Sequence, residues 1–133
     1  MDTATSEPGA LQEVYAAMDA GQEAFVRGDI EGWLGVTHPS AHTFQVDHFT
    51  TFADLAAGPI ESQMELNDGW TTVWREGLVE GDTACVWGEV EWFYRLEEER
   101  HSVRMAGSWH WVKTDGVWKT LFVHYSLLNS PQA

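Results

Sequence analysis

A chain of 133 residues with 44% hydrophobic side chains suits a single domain built around one packed core. Its 21 acidic residues against 7 basic ones give a formal net charge of -14, which repels phosphate backbones and anionic lipid surfaces and argues against nucleic acid as a partner. The single cysteine, Cys85, cannot form an internal disulfide, and its strand-like surroundings read as those of a buried structural thiol.

Taken in order, residues 1–8 read as a disordered tail, 9–128 as one domain and 129–133 as a second tail. The opening MDTATSEPGA lacks the basic and apolar regions of a signal peptide, and no apolar run approaches the roughly 20 residues that span a bilayer. A cytoplasmic protein is therefore expected. Ser6 can cap a first helix and Pro8 suits its first turn, with Leu11, Val14, Tyr15, Met18, Gln22, Phe25 and Val26 on one face and an end near Gly28. Asp29 can cap a shorter second helix through Ile30, Trp33 and Leu34, which Pro39 is expected to stop.

His42 to Phe49 reads as a short strand with Phe44 and Val46 on one face and Asp47 on the other. Thr51 to Ala57 suits a helical turn ended by Gly58-Pro59, and PIESQMELNDG is equally compatible with a helical turn or extended chain. Trp70 to Glu80 reads as a strand that turns at Gly81-Asp82 into TACVWGEVEWFYRL. Alternation there puts Val86, Val90, Trp92 and Tyr94 on a cavity side, and Cys85, Trp87, Glu89, Glu91 and Phe93 on an outer side. The charged cluster Glu97 to Arg100 marks a solvated turn.

The last third, RMAGSWHWVKTDGVWKTLFVHYSLL, is a long hairpin about Asp115-Gly116. A regular register sets Trp111 opposite Thr120, Trp109 opposite Phe122 and Gly107 opposite His124. Trp109, Trp111, Trp118, Phe122, His124 and Ser126 then share one face, either a plain core or a pocket wall.

Within this hairpin, GVWKTLFVHYS resembles the closing strand of SnoaL-like proteins in the nuclear transport factor 2-like superfamily, where Gly-x-Trp-Lys/Arg leads to His-x-Ser. Gly116, Trp118, Lys119, His124 and Ser126 match, while Phe122 stands where many relatives carry another histidine. The phrase RGDIEGWL resembles the helix-turn-helix opening of the same family. The resemblance covers roughly Leu11 to Ser126. It implies a cone-shaped α+β fold, with N-terminal helices packed on a strongly curved, mostly antiparallel sheet enclosing a pocket. It also implies a homodimer joined through the outer sheet face that carries Trp87 and Phe93.

The stretch HTFQVDH is similar to the place where ketosteroid-isomerase-like relatives carry a general-base aspartate, with His48 replacing the family's proline. Asp47 is thus the candidate base, since an apolar pocket raises a carboxyl pKa toward the range that proton transfer needs. A surface or turn-capping aspartate is the competing reading. His124 is the candidate proton donor and Tyr94 its helper toward a developing oxyanion, each set against a core role. Tyr15, Trp92, Trp109, Trp111, Phe122 and Ser126 are candidate substrate contacts. His38, His42, Asp47 and His48 bring metal-ligand types together, but no metal motif matches, so neither metal nor cofactor is expected. The resemblance implies cofactor-free acid/base chemistry on a small, largely apolar or polycyclic molecule, of isomerase, cyclase or epoxide-hydrolase type. The alternative is a non-catalytic ligand-binding or assembly domain of the same fold.

Overall fold

The computed structural model describes residues 8–45, 48–51 and 59–128, with side chains over 9–43 and 63–128. Helix α1 spans Pro8–Arg27. It stops at Gly28, whose φ of 75° is easy for glycine and costly for other residues. Val14, Met18 and Ala24 are buried at helical spacing, and Phe25 packs beside them. Helix α2 (Ile30–Gly35) begins at Asp29, whose carboxylate accepts from the Gly32 N–H at 2.9 Å. That bond, together with Arg27, holds the Asp29 carboxyl below the usual carboxylate range.

Six strands follow: β1 (Thr37–Gln45), β2 (His48–Thr51), β3 (Asn67–Glu80), β4 (Thr83–Leu96), β5 (Glu99–Thr114) and β6 (Val117–Leu127). Helix α3 (Pro59–Leu66) lies between β2 and β3. The sheet order is β2-β1-β6-β5-β4-β3, antiparallel throughout except where β1 runs parallel to β6. The fold is thus α+β as expected, an open curved sheet with α1 packed against β3 and β6.

Cross-strand rows sort the two faces. Val79, Ala84, Trp111, Thr120 and Thr37 form one inner row, and Gly77, Val86, Trp109, Val123 and Thr43 the next. Arg75, Gly88, Gly107 and Tyr125 form a third, and beyond β3's irregular step come Trp70, Trp92 and Val103. Val14, Val86 and Val90 of this core are fully sealed from solvent. Arg75 reaches back to α1, donating to both oxygens of Asp19 at 2.6 and 3.2 Å with its guanidinium 4.1 Å from the Tyr15 ring.

Two expectations are corrected here and one open reading is resolved. Strand β1 begins at Thr37, before Pro39, because the interruption of its ladder between Thr37 and His42 accommodates a residue with no N–H to donate. The undecided stretch after Pro59 resolves into α3 followed at once by β3. The hairpin about Asp115-Gly116 pairs Lys113 with Trp118 and Trp111 with Thr120 as expected, but then His110 pairs with Phe122, leaving Leu121 as an extra residue. This bulge reverses every later side chain of β6. Trp109 therefore faces Val123, and Gly107 faces Tyr125. Phe122, His124 and Ser126 fall on the outer face, in rows with Cys85, with Trp87 and with Glu89 respectively. The helical turn expected after Thr51 and the carboxylate of Asp47 lie outside the described residues.

Candidate functional site

Along the inner face a chain of ring contacts runs from one strand to the next. His101 stacks on Tyr94 at 5.3 Å between centroids, and Tyr94 on Trp92 at 4.7 Å. Trp92 meets Phe25 of α1 edge-on at 6.5 Å, Phe25 meets Trp70 at 6.0 Å, Trp70 meets Tyr125 at 5.9 Å, and Tyr125 meets Trp109 at 5.7 Å. Seven rings from five elements thus form one continuous chain. Alternation places them there: Trp92 and Tyr94 on β4, His101 on β5 directly opposite Tyr94, and Tyr125 on β6 opposite Gly107.

Polar groups fix several of these rings. Trp92 donates its indole N–H to Asn67 Oδ1 at 2.9 Å, and Trp109 donates to the Tyr125 hydroxyl at 3.2 Å. A methyl added at Gly107 would stand 2.6 Å from the Trp109 ring, so the absence of a side chain there is what lets the indole lie over the strand toward Tyr125. Burial pushes the Tyr125 phenol up to about 12, the Trp109 bond opposing this weakly, so the hydroxyl keeps its proton. The indole N–H of Trp70 and the amide nitrogen of Gln22 are sealed from solvent and have no partner among the described residues. Both also line a groove of about 670 Å³ between α1 and β3, whose other walls include Asp19, Glu23, Gly69 and Thr72.

Of the expected site residues, Trp92, Tyr94 and Trp109 lie in this ring chain. Trp111 is a core side chain in the row of Ala84 and Thr120. Tyr15 lies under the Arg75 guanidinium, and burial raises its phenol pKa. The expected shared face of Phe122, His124 and Ser126 with Trp109 is overturned by the Leu121 bulge. His124 instead makes a 3.0 Å ring-nitrogen contact with the Ser126 hydroxyl on the outer face. In their place the inner face carries Tyr125 and His101, which sequence reasoning passed over. Asp47 is not among the described residues. Among the described residues no group of three or more His, Cys, Asp and Glu is arranged to hold a metal ion, and no helix is long and apolar enough to cross a membrane.

No family model matches the chain, and no curated protein does. Solved structures do. A Xanthomonas campestris protein provisionally named as a calcium/calmodulin-dependent protein kinase II association domain superimposes with a TM-score of 0.80 at 17% identity, covering 98% of this chain and 99% of its own. An NTF2-like protein with a cystatin-like fold from Novosphingobium aromaticivorans gives 0.73 at 20% identity, over 90% of this chain and 82% of that one. The association domain of Caenorhabditis elegans CaMKII gives 0.73 at 19%, over 90% and 97%. The fold is therefore that of the nuclear transport factor 2-like proteins, a scaffold on which unlike functions are built.

Proposed function

We propose that this protein is a SnoaL-like enzyme that acts on a small, largely apolar or polycyclic molecule by cofactor-free acid/base chemistry, of isomerase, cyclase or epoxide-hydrolase type. The continuous chain of rings along the inner face is the observation that carries this reading, since aromatic side chains with a few fixed polar groups suit such a ligand. In this scheme Asp47 abstracts the proton. The proton donor is an inner-face hydroxyl, Tyr125 or Tyr94, in place of His124, whose side chain belongs to the outer face.

Exchange of the α-protons of small ketones in deuterated water, followed by NMR, tests the base with simple ketones standing in for the natural substrate. Asp47→Asn keeps the side chain's size and removes its basicity, so exchange should slow by about 10² or more while ketone affinity holds. Unchanged exchange in a folded Asp47→Asn protein would remove the base.

A second reading, self-assembly, is favoured by the outer face. Trp74 is 44% exposed there, Trp87 is partly exposed, and Phe93 is partly exposed under the Arg100 guanidinium, a poor arrangement for bare surface. We infer a homodimer joined through this face. Light scattering should report twice the monomer mass, and Trp87→Glu should return it to one; a wild-type monomer at every concentration would end the idea.

A further inference from the structure

We infer that Trp70, Gln22 and Tyr125 form a recognition site for a neutral hydrogen-bond acceptor, a carbonyl oxygen carried on a flat apolar or aromatic body. The inference deepens the small-molecule reading above and rests on it. Three hydrogen-bond donors stand on neighbouring side chains, Trp70 and Gln22 in the groove wall and Tyr125 in ring contact with Trp70, and among the described residues none has an acceptor. The Trp70 indole N–H and the Gln22 amide nitrogen are sealed without a partner among the described residues. The Tyr125 hydroxyl accepts from Trp109 and has its own proton left to give. Trp70 joins the set, touching Tyr125 through its ring and sharing the walls of the α1–β3 groove with Gln22.

An unmet buried donor costs about 1–3 kcal/mol, so two on side chains that wall one groove mark a place where an acceptor from outside, met by a turn of either side chain toward the groove, completes the bonding. Trp111 and Trp118 also hold unmet indole N–H groups, but neither lines that groove. Gln22 is already fixed on its other side, its Oε1 accepting from Thr72 at 3.4 Å, which leaves the NH₂ end for the ligand.

Charge selects the kind of acceptor. The net charge of -14 opposes a carboxylate or phosphate, and the nearby cations are engaged, Arg75 with Asp19 and Arg27 with Asp29. Neutral N–H and O–H donors suit a carbonyl, while the indole and phenol faces suit the body that carries it.

Titration calorimetry with three one-ring probes tests this: acetophenone, α-methylstyrene, in which a methylene replaces the carbonyl oxygen, and benzoate. The wild-type protein should bind acetophenone about tenfold more tightly than α-methylstyrene, the equivalent of one or two neutral hydrogen bonds, and benzoate more weakly than acetophenone. Trp70→Phe, Gln22→Leu and Tyr125→Phe should each erase much of that preference, weakening acetophenone by about threefold to tenfold and α-methylstyrene by less than about twofold. Trp70→Phe and Gln22→Leu retain the bulk of their side chains, so they decide the matter even if Tyr125→Phe fails to fold. Equal affinity for acetophenone and α-methylstyrene, tightest binding of benzoate, no binding of acetophenone, or a preference that survives all the folded variants would each overturn the site. The readout is equilibrium binding, so it separates from catalysis: an Asp47→Asn protein that keeps the acetophenone preference and loses exchange supports both readings. A wild-type protein that binds with the preference but exchanges nothing keeps this site and removes the enzyme.

Discussion

Gly107→Ala tests the inner face at its tightest point. An alanine methyl there would lie 2.6, 2.8 and 3.1 Å from three atoms of the six-membered ring of Trp109, a side chain that is only 4% exposed. Relief requires the indole to swing away, giving up its hydrogen bond to Tyr125 and the edge contact between the two rings. Overpacking costs about 1–3 kcal/mol. The lost bond and ring contact each add about 1 kcal/mol. Replacing a strand glycine by alanine returns about 0.5–1 kcal/mol. The net loss should be about 2–4.5 kcal/mol, which lowers a urea midpoint by about 1–2 M with little change in slope. In a Trp109→Phe background the methyl meets a shorter ring, and the same substitution should cost less than about 0.5 kcal/mol. Equal costs in the two backgrounds, or a single variant indistinguishable from wild type, would refute the claim that the glycine holds the indole in place.

Tyr125 gives the protein an alkaline limit. Its phenol stays protonated up to about 12 in the folded protein but ionises near 10 when unfolded, so the folded state binds more protons between those values and stability falls as pH rises through that window, by at most about 3 kcal/mol. Denaturant titrations across that range should show the fall in the wild type and lose most of it in Tyr125→Phe; a fall of the same size in both would assign it elsewhere. Arg75→Ala removes the bidentate pair with Asp19 and the cation over Tyr15, and should cost about 1–2 kcal/mol in thermal or urea unfolding. Part of that cost should vanish at high salt, and no cost at low salt would show the pair to be ornamental.

What the sequence shows of this fold is what short-range chemistry determines. Alternation in TACVWGEVEWFYRL separates the faces of β4 correctly, and Gly81-Asp82 and Asp115-Gly116 stand at the two tight turns where residues with positive φ are required. At the Glu97-Glu98 turn the structure tolerates φ of 52° and 70° without glycine, so charge rather than turn preference gave its place away. The site was harder to read because it depends on pairing. His101 lies next to a charged turn and reads as surface, and only the register that sets it opposite Tyr94 brings it to the inner face. Tyr125 lies between the two residues of the recognisable His-x-Ser motif, so a regular hairpin count sends it outward.

The Leu121 bulge accounts for both the curvature and the identity of the groups inside it. On one side of β6, β5 skips Leu121 between its partners Thr120 and Phe122. On the other side, β1 steps from Thr37 opposite Thr120 to His42 opposite Phe122, so both neighbours are irregular at the same level of the sheet. An extra residue at one level of a strand increases the local twist and bends it, which a sheet must do to wrap a helix such as α1. The same residue turns a histidine and a serine outward and a tyrosine inward. A motif match on β6 therefore names residues whose neighbours are set by the strand's irregularity, and the hydroxyl that the end of β6 brings to the inner face is the one that the motif leaves unnamed.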